Sequence, residues 1–270
     1  MALPRRNAWF IAAGMAAMLS IAARLDAQWS KIPDSGVPLT AEGKPDLSAP
    51  APRLPNGTPD LSGIWQRDTN RLVKDLAADF KPEDFPFQPW AKALFEARDE
   101  SMSGRGSAAL ARQDPEANCL PLGVPRSAAT IFPWKIVQTP RFIAILHEVQ
   151  NSWRQIFLDG REPVADANPT WMGYSSGKWE SDTLVVETRG FNGKLWLDQR
   201  GRPSTDALRV VERYRRKDFG HMDIEITIDD SKAYTKPWTV TMPVHLLTDT
   251  ELLEYICNEN NQFVERVPGK

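Results

Sequence analysis

Residues 208–246 read LRVVERYRRKDFGHMDIEITIDDSKAYTKPWTVTMPVHL. Apolar and polar side chains alternate in three runs, Leu208–Arg216, Met222–Asp229 and Trp238–Leu246, which turn-forming residues separate. Alternation with a period of two is typical of β-strands that bury one face. The connections are short enough for antiparallel hairpins, so this stretch predicts a β-meander.

The same pattern continues through the C-terminal half and predicts about ten strands. The other strands are predicted at Trp65, Trp134–Gln138, Phe142–Val149, Trp153–Leu158, Tyr174–Trp179, Thr183–Thr188 and Leu252–Cys257. A meander of this length has exposed edges unless it closes on itself. We therefore predict a mainly β fold, an antiparallel up-and-down barrel whose interior or mouth would hold a ligand.

The residues ahead of the strands divide into three segments. Residues 1–27 carry an arginine pair, an apolar run and a small-residue cleavage site, which predicts a signal peptide; an uncleaved anchor is the alternative. Residues 28–60 are rich in proline, which predicts an extended leader. Residues 61–270 are predicted to form a single barrel domain with a helical and loop insert at 70–133, including a helix from Pro89 to about Met102.

Two features of these segments lead to further predictions. The leader contains a short repeat, GKPDLS at Gly43–Ser48 and GTPDLS at Gly57–Ser62. Within the insert, Asp114–Pro133 is a proline-punctuated loop, and a loop of this length is usually functional or draped over a mouth.

The chain has two cysteines, Cys119 and Cys257. In an exported protein an isolated pair is predicted to form a disulfide, with two buried free thiols as the alternative. Together with the predicted signal peptide, this indicates a periplasmic or secreted protein.

Composition and motifs exclude several functional classes. The formal net charge of -2 gives no indication of a nucleic-acid partner. No segment after residue 27 is apolar enough to cross a membrane. The sequence has no Gly-rich phosphate loop, G-x-S-x-G elbow or H-E-x-x-H motif, so no cofactor is predicted. His147, His221 and His245 come from three strands without ligand spacing, and no metal site is predicted.

Polar side chains on otherwise apolar strand faces are the candidate catalytic residues. They are Glu148, Glu187, Glu212 and Tyr214. If these faces point inward, three carboxylates enter the barrel, where burial favours the protonated form and suits a general acid or base. The alternative is that each glutamate lies near water at a strand end, or pairs with an arginine such as Arg154, Arg189 or Arg213.

Aromatic residues and one arginine are the candidate ligand-binding residues. They are Trp65, Arg154, Trp171, Tyr174, Tyr234 and Trp238. The segment Asn168–Tyr174 places aromatic side chains on a loop beside a strand start, and Tyr234–Trp238 is a second aromatic and basic cluster. Aromatic loops at a barrel mouth bind apolar or sugar rings, but they also pack as plugs.

The Gly63-Ile64-Trp65 motif at the start of the meander resembles the first strand of lipocalin-like (calycin) barrels. The resemblance implies that Trp65 closes one end of the barrel beneath a basic residue, for which the candidates are Arg209, Arg213 and Arg266. The insert has no obvious counterpart in that family. Pro59–Trp65 and Asn168–Thr188 also resemble a group of exported bacterial proteins of unassigned function, a likeness that implies no activity.

Three functions are compatible with these features. The first is an exported barrel that binds a small apolar or aromatic molecule in its interior or mouth. The second is a cofactor-independent enzyme, of the lyase, isomerase or hydratase type, that uses interior carboxylates for proton transfer. The third is a carbohydrate-binding or envelope-binding domain that uses loop aromatics such as Trp171.

Overall fold

Most strands of the described residues bury alternate side chains, and these side chains line the interior of a barrel. The computed structural model describes residues 36–68, 71–161 and 168–259. The strands in these residues are β1 (Gly63–Arg67), β2 (Trp134–Gln138), β3 (Phe142–His147), β4 (Trp153–Phe157), β5 (Tyr174–Glu180), β6 (Thr183–Arg189), β7 (Arg209–Arg216), β8 (His221–Asp229) and β9 (Trp238–Leu247).

The nine strands pair in sequence order, and β9 returns to β1 to close the barrel. The predicted mainly β barrel is therefore confirmed. Every pairing is antiparallel except that of β4 with β5, which run parallel through the pairs Ile156–Ser175 and Phe157–Ser176. This parallel pairing departs from the antiparallel barrel that the sequence predicts.

The predicted tenth strand, Leu252–Cys257, is also wrong, because this segment forms no strand. β1 pairs with β2 on one side and with β9 on the other, so the closed ladder has no free edge to accept another strand. The segment is attached by individual contacts instead. The Leu253 amide, for example, donates to the Glu148 carboxylate at 3.0 Å.

Alternate positions of the strands fill the barrel with apolar side chains. On β8 the buried residues are Met222, Ile224, Ile226 and Ile228, and the polar residues between them face outward. The partners of Ile224 and Ile226 on β9, Met242 and Val240, are buried as well. Removal of these side chains from water is the main source of stability for such a fold.

The described residues of the insert between β1 and β2 contain three helices: α1 (Arg71–Lys74), α2 (Pro89–Met102) and α3 (Ala108–Ala111). Single 3-10 turns lie at Pro82–Asp84, Glu116–Asn118 and Val149–Asn151. The predicted helix is confirmed as α2. It begins at Pro89, which has no N–H to leave unpaired, and Gly104 follows its end with a φ of 78°. Within the described residues, none of the helices is long and apolar enough to span a membrane.

The two copies of the leader repeat adopt the same turn. The Asp46 amide donates to the Pro38 carbonyl at 2.8 Å, and the Asp60 amide donates to the Pro52 carbonyl at 2.9 Å. The repeat in the sequence is therefore a repeat in the structure. The predicted signal peptide, residues 1–27, lies outside the described residues.

One end of the barrel, here called the closed end, is sealed by Trp65 and Arg216. Trp65 is fully buried, and its Nε1 donates to the Leu61 carbonyl at 2.9 Å. The Arg216 guanidinium lies 5.0 Å from the centre of the Trp65 ring. Its nitrogens donate to three backbone carbonyls, those of Asp60, Asp218 and Phe219.

Arg216 is thus the basic residue that covers Trp65, and the predictions of Arg209 and Arg213 are wrong. Both candidates lie on the outer face of β7, where Arg209 pairs with Glu187 and Arg213 pairs with Glu180. The third candidate, Arg266, lies outside the described residues. Side chains alternate along β7, so position 216 shares the inner face with Tyr214.

The end of the barrel at the last residues of β1, here called the covered end, lies against parts of the insert. Residues 121–133, here called the plug, are the second part of the loop that was expected to drape over a mouth. The plug is bonded to the end of β1, because Gln66 Nε2 donates to the Ile131 carbonyl at 2.7 Å and Arg67 Nε donates to the Ala129 carbonyl at 3.3 Å.

A disulfide and a buried ion pair hold the plug in place. Cys119 and Cys257 are bonded, which confirms the predicted disulfide and ties the base of the plug to the segment after β9. From the plug, Arg126 donates to Asp114 at 2.6 Å and to Glu116 at 2.7 Å, two residues that precede the plug. The Arg126 and Asp114 side chains are each only 3% exposed, so water weakens their attraction little.

Candidate functional site

A polar network crosses the barrel interior and centres on Arg154 of β4. Arg154 donates to the Glu212 carboxylate at 2.5 Å, to Thr188 Oγ1 at 2.6 Å and to Ser175 Oγ at 2.9 Å. The Tyr214 hydroxyl donates to the other Glu212 oxygen at 2.9 Å and lies 3.4 Å from an Arg154 nitrogen. All five side chains are buried, and they come from β4, β5, β6 and β7.

Burial and mutual charge set the ionisation of this network. Burial alone would lower the pKa of Arg154, but the adjacent Glu212 carboxylate outweighs it and the pKa is raised. Burial and the Glu212 carboxylate both raise the pKa of Tyr214 well above its usual value. Arg154 and Tyr214 therefore stay protonated at neutral pH, and both act as hydrogen-bond donors.

His147, at the end of β3, lies beside this network without joining it. Neither ring nitrogen makes a hydrogen bond of normal geometry to a described residue. Burial first, and then the charge of Arg154, lower the pKa of His147 to about 3, although a hydrogen bond with the Ser127 backbone, outside normal geometry, opposes this. The imidazole is therefore neutral at physiological pH, with one donor and one acceptor nitrogen.

Trp134 of β2 lies across from His147 in the β2–β3 register. Its side chain is 1% exposed, and its indole Nε1 likewise has no hydrogen-bond partner among the described residues. Two buried polar side chains on neighbouring strands are thus unpaired at the same place. Buried groups of this kind need an explanation, because leaving one unpaired costs about 1–3 kcal/mol.

These side chains and the plug line the same cavity. Its polar wall consists of His147, Arg154, Glu212 and Tyr214, and its other lining residues are Val124, Pro125, Ser127, Ala128, Trp134 and Ile145. Its free volume is about 10 Å³, enough for about one water molecule. Four of the lining residues belong to the plug, so a movement of the plug alone would enlarge the cavity.

Of the predicted carboxylates, the structure places Glu212 inside the barrel and the other two elsewhere. Glu148 is buried beyond the end of β3, where it accepts the hydrogen bond from Leu253. Glu187 lies on the outer face of β6, between Arg189 and Arg209, and these partners lower its pKa to about 2 despite partial burial. The expected arginine partners are thus present for Glu187 and Glu212.

The predicted aromatic residues do not gather at the cavity. Trp171 is half-buried and packs against the core, and Tyr174 stacks on Phe157 with ring centres 5.3 Å apart. Tyr234 is buried and donates to the Pro203 carbonyl at 2.7 Å. Trp238 lies 5.6 Å from the Tyr234 ring, within a cluster of aromatics beneath the insert.

Sequence reasoning missed the roles of Trp134, His147 and the plug residues in this cavity. The length of the loop Asp114–Pro133 was a usable signal for the plug. The position of His147 depended on which face of β3 points inward, and both faces of that strand are rich in apolar residues.

No family model, curated protein or solved structure matches this chain. The chemistry of the site therefore has to be inferred from its own geometry. The cavity offers hydrogen-bond donors from Trp134 and His147, an acceptor nitrogen on His147, and an ion pair whose charges cancel.

Proposed function

We propose that the protein is an exported barrel that binds a small molecule in the cavity at the covered end. The observation that carries the proposal is the pair of unpartnered buried side chains, His147 and Trp134, in the wall of that cavity. A ligand that forms hydrogen bonds with these nitrogens would remove the free-energy cost of burying them unpaired. Apolar lining residues such as Val124 and Ile145 would contact the rest of the ligand.

Entry of a molecule larger than water requires the plug to move. The plug is a loop outside the strand ladder, so its displacement breaks no strand pairing. The Arg126–Asp114 pair and the disulfide restrain the plug, so its movement has to break this pair or carry it along. Loops over rigid scaffolds commonly serve as such covers.

Export is supported by the disulfide, because such bonds persist in oxidising compartments and are rare in the cytosol. A calycin-like origin of the barrel is supported by the Trp65–Arg216 contact at the closed end. These two features make a periplasmic or secreted binding protein of calycin type the coherent proposal.

Native mass spectrometry of protein exported into a periplasm tests the binding function. We expect a co-purifying organic mass that is lost on mild denaturation. Ala128→Leu places a larger side chain in the cavity wall and should abolish that mass, whereas Ala144→Leu, on the outer face of β3, should not. A protein that carries no organic mass in any preparation, and binds no added small molecule, would contradict the proposal.

A second candidate, a proton-transfer enzyme, is favoured by the hydrogen bond between Tyr214 and Glu212 beside the cavity. Tyrosine and carboxylate groups held in this way serve as general acids and bases. Tyr214→Phe should retain binding of the molecule identified above and lose its turnover, followed by chromatography of the incubated mixture. Equal turnover by the variant and the natural protein would exclude this role of Tyr214.

A further inference from the structure

We propose that the cavity selects a neutral ligand bearing a hydroxyl group, and that this hydroxyl pairs with Trp134 and His147. The inference deepens the proposed binding function and rests on it. It follows from three properties of the cavity wall: its charge, its hydrogen-bonding groups and its apolar part.

The charge of the wall excludes ionic ligands. Among the lining residues, Arg154 and Glu212 form an ion pair with a nitrogen-to-oxygen distance of 2.5 Å, so their charges cancel. The other lining side chain that could be positive, His147, is neutral at physiological pH because it is fully buried. A carboxylate or ammonium group would therefore enter a desolvated site without a counter-ion, which is strongly unfavourable.

The unpaired groups match a hydroxyl in number and type. The indole Nε1 of Trp134 can only donate, and neutral His147 has one donor and one acceptor nitrogen. An alcohol oxygen accepts two hydrogen bonds and donates one. It can therefore accept from Trp134 Nε1 and donate to the acceptor nitrogen of His147, whereas a carbonyl oxygen would leave that nitrogen unpaired.

The rest of the wall is apolar on the plug side. Val124, Pro125 and Ala128 of the plug face Ile145 of β3 across the cavity. A hydrocarbon or aromatic body attached to the hydroxyl would contact these side chains when the plug moves. The ligand class is thus a small alcohol with an apolar body, which fits a site that has both kinds of lining.

A set of four probes of similar shape separates these properties: benzyl alcohol, toluene, benzoate and benzylammonium. Isothermal titration of the full chain at neutral pH should give benzyl alcohol a Kd at least about tenfold lower than that of each other probe, as expected for one buried hydrogen-bonded group. His147→Phe and Trp134→Phe should each reduce the preference for benzyl alcohol over toluene. Trp153→Phe, at an exposed outer position, should leave it unchanged.

The outcomes distinguish the two levels of the proposal. Equal or tighter binding of toluene, benzoate or benzylammonium would overturn the ligand class while leaving a binding cavity in place. Absence of binding by all four probes, together with a protein free of organic mass, would overturn both. The ranking of the probes on the natural protein decides the ligand class even if a cavity variant fails to fold.

Discussion

The two ends of the barrel differ in how completely their buried polar atoms are paired. At the closed end, Trp65 and every guanidinium nitrogen of Arg216 donate hydrogen bonds. At the covered end, Trp134 and His147 have no such partners among the described residues. The closed end is therefore built for stability. The covered end gives up stability locally, which is typical of places where a protein binds or reacts.

The largest expected effect concerns the ion pair in the wall of the cavity. Arg154→Met should lower the free energy of unfolding by about 3–5 kcal/mol, because it leaves Glu212 buried without a counter-ion. Urea denaturation measures the loss. The double variant Arg154→Met/Glu212→Leu should recover most of it, since no unpaired charge remains. A single variant as stable as the natural protein would mean that the pair is not desolvated.

Removal of the disulfide tests whether the stability of the covered end depends on this covalent link. Replacing Cys119 and Cys257 by serine should cost about 2–4 kcal/mol, because the bond closes a long loop in the unfolded chain. Hydrogen exchange should become faster in the plug, and amides near Trp65 should change much less. Equal acceleration at both ends would show that the bond stabilises the barrel as a whole and not the covered end.

Arg216→Met tests the closed end. Loss of the bonds from its guanidinium to three carbonyls should lower the free energy of unfolding by about 2–3 kcal/mol. Arg213→Met, which breaks an exposed ion pair on the outer face of the same strand, should cost less than about 1 kcal/mol. Probe binding at the covered end should persist in both variants, and its loss in Arg216→Met would show that the two ends are coupled.

The smallest expected effect is a pH dependence from His147. Its pKa is about 3 in the folded protein and 6.5 in an unperturbed chain, so between these values the unfolded state binds a proton that the folded state does not. Stability should therefore fall as pH drops below 6.5, by about 2 kcal/mol at pH 5. His147→Phe should remove this component, measured as the difference between the two proteins at pH 7 and pH 5. A constant difference would show that His147 keeps an ordinary pKa.

Strand positions could be predicted because turn residues and alternation are local properties of the sequence. β2, for example, has the predicted bounds, Trp134–Gln138. The sequence analysis left the inward position of Glu212 and Tyr214 open, although the arginines at 209, 213 and 215 on the opposite face of β7 were a usable signal for it. Patterning decides the face only where one side of a strand is clearly polar.

Which faces of β3 and β6 point into the barrel could not be predicted in the same way. On β6, Val185 and Val186 are both buried although they face opposite sides of the sheet, so the pattern gave no basis for placing Glu187 outside. The site itself depends on long-range pairing. Arg154 and Glu212 are far apart in sequence, and the plug reaches His147 only through the folded barrel.

The parallel pairing of β4 with β5 has a mechanical consequence. A closed barrel is expected to open first where two neighbouring strands are joined by the fewest register pairs. Two register pairs join β4 to β5, whereas seven join β5 to β6. The hydrogen bond from Arg154 to Ser175 adds a side-chain link between β4 and β5. Local opening should thus begin between β4 and β5. Arg154, which carries the positive charge of the interior network, also links these two strands.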